Sequence, residues 1–176
     1  MLSILTFPSC RAARLSSRRS FHSARNLQAV AMAVPGFELG SKVQWPHDKS
    51  VRDLFFETAA ASPDACAVTG LNDADDLSYK QLSSAVARLA LQLSTESGVK
   101  RGDYVALLVD RTPEMVVAIY GVVSTGAAYV PIDPDHPADR ATTMLSDCGA
   151  RVLLTFARLR SRVPPAYTGQ ARLMGG

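Results

Sequence analysis

The sequence predicts an α/β fold: a doubly wound, mostly parallel sheet with helices on both faces, preceded by a disordered leader. Three observations carry this. Residues 104–109, 127–132 and 151–155 include short apolar runs without polar alternation, the pattern of strands covered on both faces. Helix signals stand between them, with Thr112-Pro113-Glu114 opening one helix and Pro137 another. Gly126 and Gly149 end those helices, and the connections have about the minimum length of a right-handed βαβ crossover.

From the N-terminus, residues 1–37 hold five arginines (Arg11, Arg14, Arg18, Arg19, Arg25) and no acid. Removing that +5 from the net charge of +3 leaves the remainder at −2, so the body is not a basic nucleic-acid binder. Residues 1–33 have the composition of a mitochondrial presequence, which implies a mitochondrial location. A basic tail without an address has the same composition, and a start at Met32 would leave the protein cytoplasmic. Residues 34–49 read as a linker punctuated by Pro35, Gly36, Gly40 and Pro46. Ser50 and Asp53 resemble a capping box, and Val51, Leu54, Phe55 and Ala59 form the apolar face of the short helix that follows. A strand at 66–69 comes next, then an acidic turn at 72–76. That turn lacks the spaced ligands of a calcium loop. In the helix at 79–97, Leu82, Val86, Leu89, Ala90 and Leu93 lie on one face. After the central strands, Ala141, Met144, Leu145 and Cys148 mark a buried helix face, and a basic helix spans 156–163. Residues 169–176 read as a tail.

The run 115–132 carries no charge, yet Ser124-Thr125-Gly126 and Pro131 interrupt it, so helix plus strand is expected and no membrane span. The cysteines Cys10, Cys66 and Cys148 fit no metal spacing and read as reduced thiols. The histidines His22, His47 and His136 form no pattern. No P-loop, dinucleotide fingerprint or nucleophile elbow is present. Asp110-Arg111 and Asp133, Asp135 and His136 follow core strands, where open α/β sheets bind ligands. Turn chemistry accounts for the same residues, and Asp110 can pair with Arg111. Arg151, Arg158, Arg160 and Arg162 read as a solvated face. No catalytic, cofactor-binding or metal residue is assigned.

Two motifs make a resemblance. Leu77-Ser-Tyr-Lys-Gln-Leu82 resembles the first core motif of the acyl-adenylate-forming, AMP-binding superfamily, with Gln81 in place of the usual acid. Val123-Ser-Thr-Gly-Ala-Ala-Tyr-Val-Pro-Ile-Asp-Pro134 closely resembles the second, with Ser124 and Thr125 where Lys-Ala is usual. The likeness runs from about Ser50 to Tyr167, giving a partial domain at 50–168, and is greatest to adenylation domains of nonribosomal peptide synthetases. It implies ATP- and Mg-dependent activation of a carboxylic acid, often an amino acid, as acyl-AMP, followed by transfer to a thiol. It also implies that the phosphate loop, the adenine and ribose contacts and the catalytic lysine belong to later segments. The chain is therefore expected to be an N-terminal fragment, inactive alone and without its own cofactor, whose partner is the remainder of the domain. The alternative is a non-catalytic interaction module or one half of a split enzyme.

Overall fold

The computed structural model describes residues 46–71 and 75–174. The chain divides into two compact units, Met1–Ser50 and Val51–Gly176, and all the described helices and strands belong to the second. The leader with its arginines, Cys10 and His22 lies outside the described residues. So do most of the linker, the middle of the acidic turn, Gly175 and Gly176.

Helix α1 (Val51–Ala61) leads to a small antiparallel pair, β1 (Cys66–Val68) and β2 (Leu77–Ser78). Asp76 helps close the turn between them, its Oδ1 accepting from the Gly70 N–H at 3.0 Å. Helix α2 (Tyr79–Thr95) follows directly, then β3 (Tyr104–Leu108), α3 (Pro113–Ser124), β4 (Ala128–Ile132), α4 (Ala138–Cys148) and β5 (Val152–Phe156). A 3-10 turn, Ala157–Arg162, takes the place of the expected basic helix, and β6 (Gln170–Met174) ends the described chain. The main sheet has the order β4-β3-β5-β6 with every neighbouring pair parallel. The uncharged run from Met115 is thus the body of α3 followed by a strand, and no helix among the described residues is long and apolar enough to cross a membrane.

Strands β3 and β5 are central. Val105, Leu107, Val152, Leu154 and Phe156 turn to one face, where Leu93 of α2 and Ala118 and Val122 of α3 cover them. Ala106, Leu108 and Leu153 turn to the other, with Ala141 and Leu145 of α4. That is the two-sided covering the unbroken apolar runs demand. A third cluster joins α1, α2 and α3 around Phe55, Leu82, Val86 and Val117, with Phe55 stacked on Tyr120 at 4.4 Å. Gly121 makes the α2–α3 approach possible, because a Cβ there would lie 2.6 Å from Leu89 Cδ2.

Several expectations need correction. Strand β4 is apolar but not enclosed: it is an edge strand, and Ala128, Tyr129 and Pro131 are exposed. An edge is where a strand proline is tolerated. Strand β6 falls in what reads as a tail, since five residues with two polar side chains give little periodicity. Val51 is 61% exposed and stands off the face that buries Phe55 and Ala59. Cys148 is a free thiol, whereas Cys66 is disulfide-bonded, contrary to the reading of reduced thiols.

Candidate functional site

Strand order reverses beside β3. The chain leaves β3 by α3 on one face to reach β4, then returns by α4 on the other to reach β5. Beyond the C-terminal ends of β3 and β5 the two crossovers diverge and leave a crevice, the usual ligand position in open α/β sheets. A cleft of about 520 Å³ opens there, with Asp75, Arg111, Thr112, Glu114, Phe156 and Arg158 among its walls.

One of its walls, Arg158, is held in an ion pair. Arg158 Nε donates to Asp110 Oδ2 at 2.8 Å, linking the loop after β3 to the loop after β5. The guanidinium also lies 4.2 Å from the centre of the Phe156 ring, so one arginine meets a carboxylate and an aromatic face. Both partners remain partly exposed. At the start of α3, Thr112 occupies the N-cap position in extended conformation but makes no side-chain capping bond. Its Oγ1 is buried without a hydrogen-bond partner. Pro113 fills the first turn, where a missing N–H costs nothing, and Glu114 adds its charge beside the positive end of the helix dipole.

The other strand-end candidates take a structural role. Asp133 Oδ1 accepts from the Asp135 N–H at 2.9 Å and the Asp133 carbonyl from the His136 N–H at 3.0 Å, which is Asx-turn chemistry. This turn does not line the crevice. Asp110 pairs with Arg158, not with Arg111. Arg158 is exposed, as the reading of a solvated face expects, and is engaged by Asp110 as well. Its position just after a core strand was visible, but a partner 48 residues away has no local signature.

A second cleft, of about 680 Å³, lies at the opposite end of the sheet, with Ser97, Thr142, Ser146, Arg151, Tyr167 and Gln170 in its walls. The Tyr167 hydroxyl is buried without a hydrogen-bond partner. Desolvation, with a smaller repulsion from Cys148, pushes its pKa up to about 12. The phenol stays protonated at neutral pH and is no base.

Both matched motifs are structural as well. Ser78 and Gln81 form a capping box: Gln81 Oε1 accepts from the Ser78 N–H at 2.8 Å and Ser78 Oγ accepts from the Gln81 N–H at 3.3 Å. In the second motif, Thr125 Oγ1 donates to the Val122 carbonyl at 2.7 Å, and Gly126 turns the chain into β4 at φ 81°.

A family model described as AMP-binding enzyme matches residues 55–173. Gramicidin S synthase 2 of Brevibacillus brevis is 40% identical over 123 residues, which is 70% of this chain and 3% of that protein. Tyrocidine synthase 3 of Brevibacillus parabrevis is 37% identical over 131 residues, 74% of this chain and 2% of that protein. Among solved structures, the nonribosomal peptide synthetase FmoA3 in its alpha-methyl-L-serine-AMP bound form gives a TM-score of 0.68 at 30% identity. That match covers 74% of this chain and 14% of FmoA3. The N-terminal subdomain of Klebsiella oxytoca NpsA in complex with 3-hydroxyanthranilyl-AMSN gives 0.63 at 26% identity, covering 71% of this chain and 31% of the subdomain. The chain thus spans a small part of each relative. It belongs to the AMP-binding enzyme family, and its matched residues correspond to part of an adenylation domain of the nonribosomal peptide synthetase type.

Proposed function

We propose that this chain supplies the opening part of a domain that activates a carboxylic acid, in the first instance an amino acid, as acyl-AMP using ATP. We propose further that the 176-residue polypeptide does not complete this reaction unaided. The observation that carries the reading is the family match across residues 55–173, which runs through both strand-end loops of the crevice. Aminoacyl activation is favoured by the relatives, which are peptide synthases, and by the aminoacyl-AMP in the FmoA3 structure.

The crevice residues do not fit ATP or Mg on their own. Arg158, in the cleft wall, is paired with Asp110, which makes a neutral pair instead of a phosphate clamp. Pro113 offers no N–H at the start of α3, and Glu114 repels a phosphate there. Nucleotide chemistry would therefore come from residues beyond this match. ATP–pyrophosphate exchange with the purified chain and the twenty amino acids tests this. Background exchange is expected, and acyl-AMP formed by the chain alone overturns the claim of inactivity.

A second reading is a binding module or one half of a split enzyme, favoured by the exposed apolar positions Tyr129 and Leu173 on the two edge strands. The two readings separate when the remainder of an adenylation domain is added: only the split enzyme gains exchange activity.

A further inference from the structure

The cleft of about 680 Å³ at the N-terminal end of the sheet has no part in the adenylation reading, and its chemistry is one-sided. Its walls carry the guanidinium of Arg151, the phenol of Tyr167, the hydroxyls of Ser97, Ser146 and Thr168, the amide of Gln170 and no carboxylate. Arg151 has no ion pair among the described residues. Glu96, beside Ser97, is taken up by Arg172, which also donates to Ser97 Oγ at 2.7 Å. The side chains of Ser146, Thr168 and Gln170 make no hydrogen bond among the described residues. A guanidinium can only donate, and the other groups can each offer a donor too.

The walls are set by local backbone. Gly149 ends α4 at φ 60° and turns the chain so that Arg151 stands just before β5. Opposite it, the strap 163–169 is tied down at both ends. The Pro164 carbonyl accepts from the Tyr167 N–H at 3.0 Å, and the Arg151 carbonyl accepts from the Gln170 N–H at 2.8 Å. Gly169 lets the strap close over the Tyr167 ring, since a Cβ there would collide with the phenol oxygen and lie 2.6 Å from the Arg151 carbonyl oxygen. That closure leaves the protonated phenol as a buried donor with no acceptor, a costly arrangement unless something in the cleft supplies one. Strand β6 starts at the cleft and runs away from it, so these walls are complete within residues 97–170.

Charge decides what fits. Helix α4 ends at the cleft, and the negative end of its dipole, roughly half a charge, works against an anion. The full positive charge of Arg151 outweighs it once, so one anionic group is favoured and a polyphosphate is not. A phosphate monoester brings three acceptor oxygens in a tetrahedral set, which suits donors placed around a cleft better than the two coplanar oxygens of a carboxylate. The volume is far larger than a phosphate, and the remaining walls are hydroxyl and amide, so the rest of the ligand should be polar. We propose that this cleft binds a hydroxyl-bearing phosphate monoester of the sugar-phosphate class. Arg151 and Ser146 hold the phosphate, Thr168 and Gln170 meet the hydroxyls, and the Tyr167 hydroxyl gains the acceptor it lacks. The proposal does not rest on the adenylation reading.

The test titrates the full chain with ribose 5-phosphate, ribose, inorganic phosphate and ATP, followed by calorimetry and by amide shifts in nuclear magnetic resonance. Saturable binding of ribose 5-phosphate is expected, with shifts at residues 149–151 and 166–170, and each of the other three probes should bind at least tenfold more weakly. Arg151→Ala changes an exposed side chain, so it should weaken binding at least tenfold with an unchanged circular dichroism spectrum. Tyr167→Phe should weaken binding at least threefold. Arg160→Ala removes an exposed charge outside the cleft and should leave affinity unchanged. No saturation at millimolar ribose 5-phosphate, indifference to Arg151→Ala, or shifts confined to residues 110–116 overturns the proposal. Inorganic phosphate binding as tightly as ribose 5-phosphate also overturns it, because the cleft is then an ion site only, and so does ATP binding as tightly, because a single anionic group is then not what is selected.

Discussion

Gln81 shows how a departure from a family motif can leave its physics intact. The motif position that usually carries an acid is the third residue of α2, and what the helix needs there is an acceptor for the Ser78 N–H. Gln81 supplies it, and Ser78 returns the bond. Ser78→Ala should cost about 1 kcal/mol in urea unfolding. Gln81→Glu should gain a few tenths of a kcal/mol, since a charge in the first turn suits the helix dipole. Gly126 is less forgiving. Its φ of 81° disfavours any side chain, and a Cβ would lie 3.1 Å from Arg101 Cγ, so Gly126→Ala should lose about 1–2 kcal/mol by the same measurement. Tyr167 can be followed by ultraviolet titration, in which its phenol should ionise near pH 12. Its folded pKa lies above the ordinary value, so the unfolded chain releases this proton first as pH rises. Stability should therefore fall from about pH 10 towards 12, with no effect from this group below about pH 9. By contrast, the Asp110–Arg158 pair is partly exposed, so Asp110→Asn should change stability by less than about 1 kcal/mol.

The elements that sequence alone made legible are those whose neighbours lie nearby in the chain or whose pattern is long. The helix with Leu82, Val86 and Leu93 on one face ends within two residues of its expected limit, and the three apolar strands fall where their runs lie. What stayed hidden depends on sheet position. Apolar content cannot separate a central strand from an edge, so β4 read as enclosed; Pro131 was the available clue. Strand β6 gains its identity from pairing with β5, which no five-residue window reveals. The crevice was legible as a place, through Asp110 after β3, but not as a bond, because Arg158 comes from another loop. Likewise the absent Thr112 capping bond could not be inferred from residue type. Core substitutions test the layering: Leu107→Ala in β3 should cost about 2–5 kcal/mol in denaturant unfolding. Gly121→Ala should be unfavourable despite better helix propensity, because a Cβ at 2.6 Å from Leu89 forces α2 and α3 apart.

At the scale of the whole molecule, the second unit is a layered body built on β3 and β5, and its family membership rests on motifs that shape it. Capping box, glycine turn and parallel ladder are all architectural. The lopsided bracing of the sheet has a mechanical consequence. Amides on the two inner strands sit between layers, whereas β6 leans on one neighbour and a single arginine clamp. Warmed gently, such a body should not melt as a block. It should peel from the thinly roofed flank, releasing β6 before β3, and protease cuts should appear around residues 163–170 while the α2–α3 flank still stands.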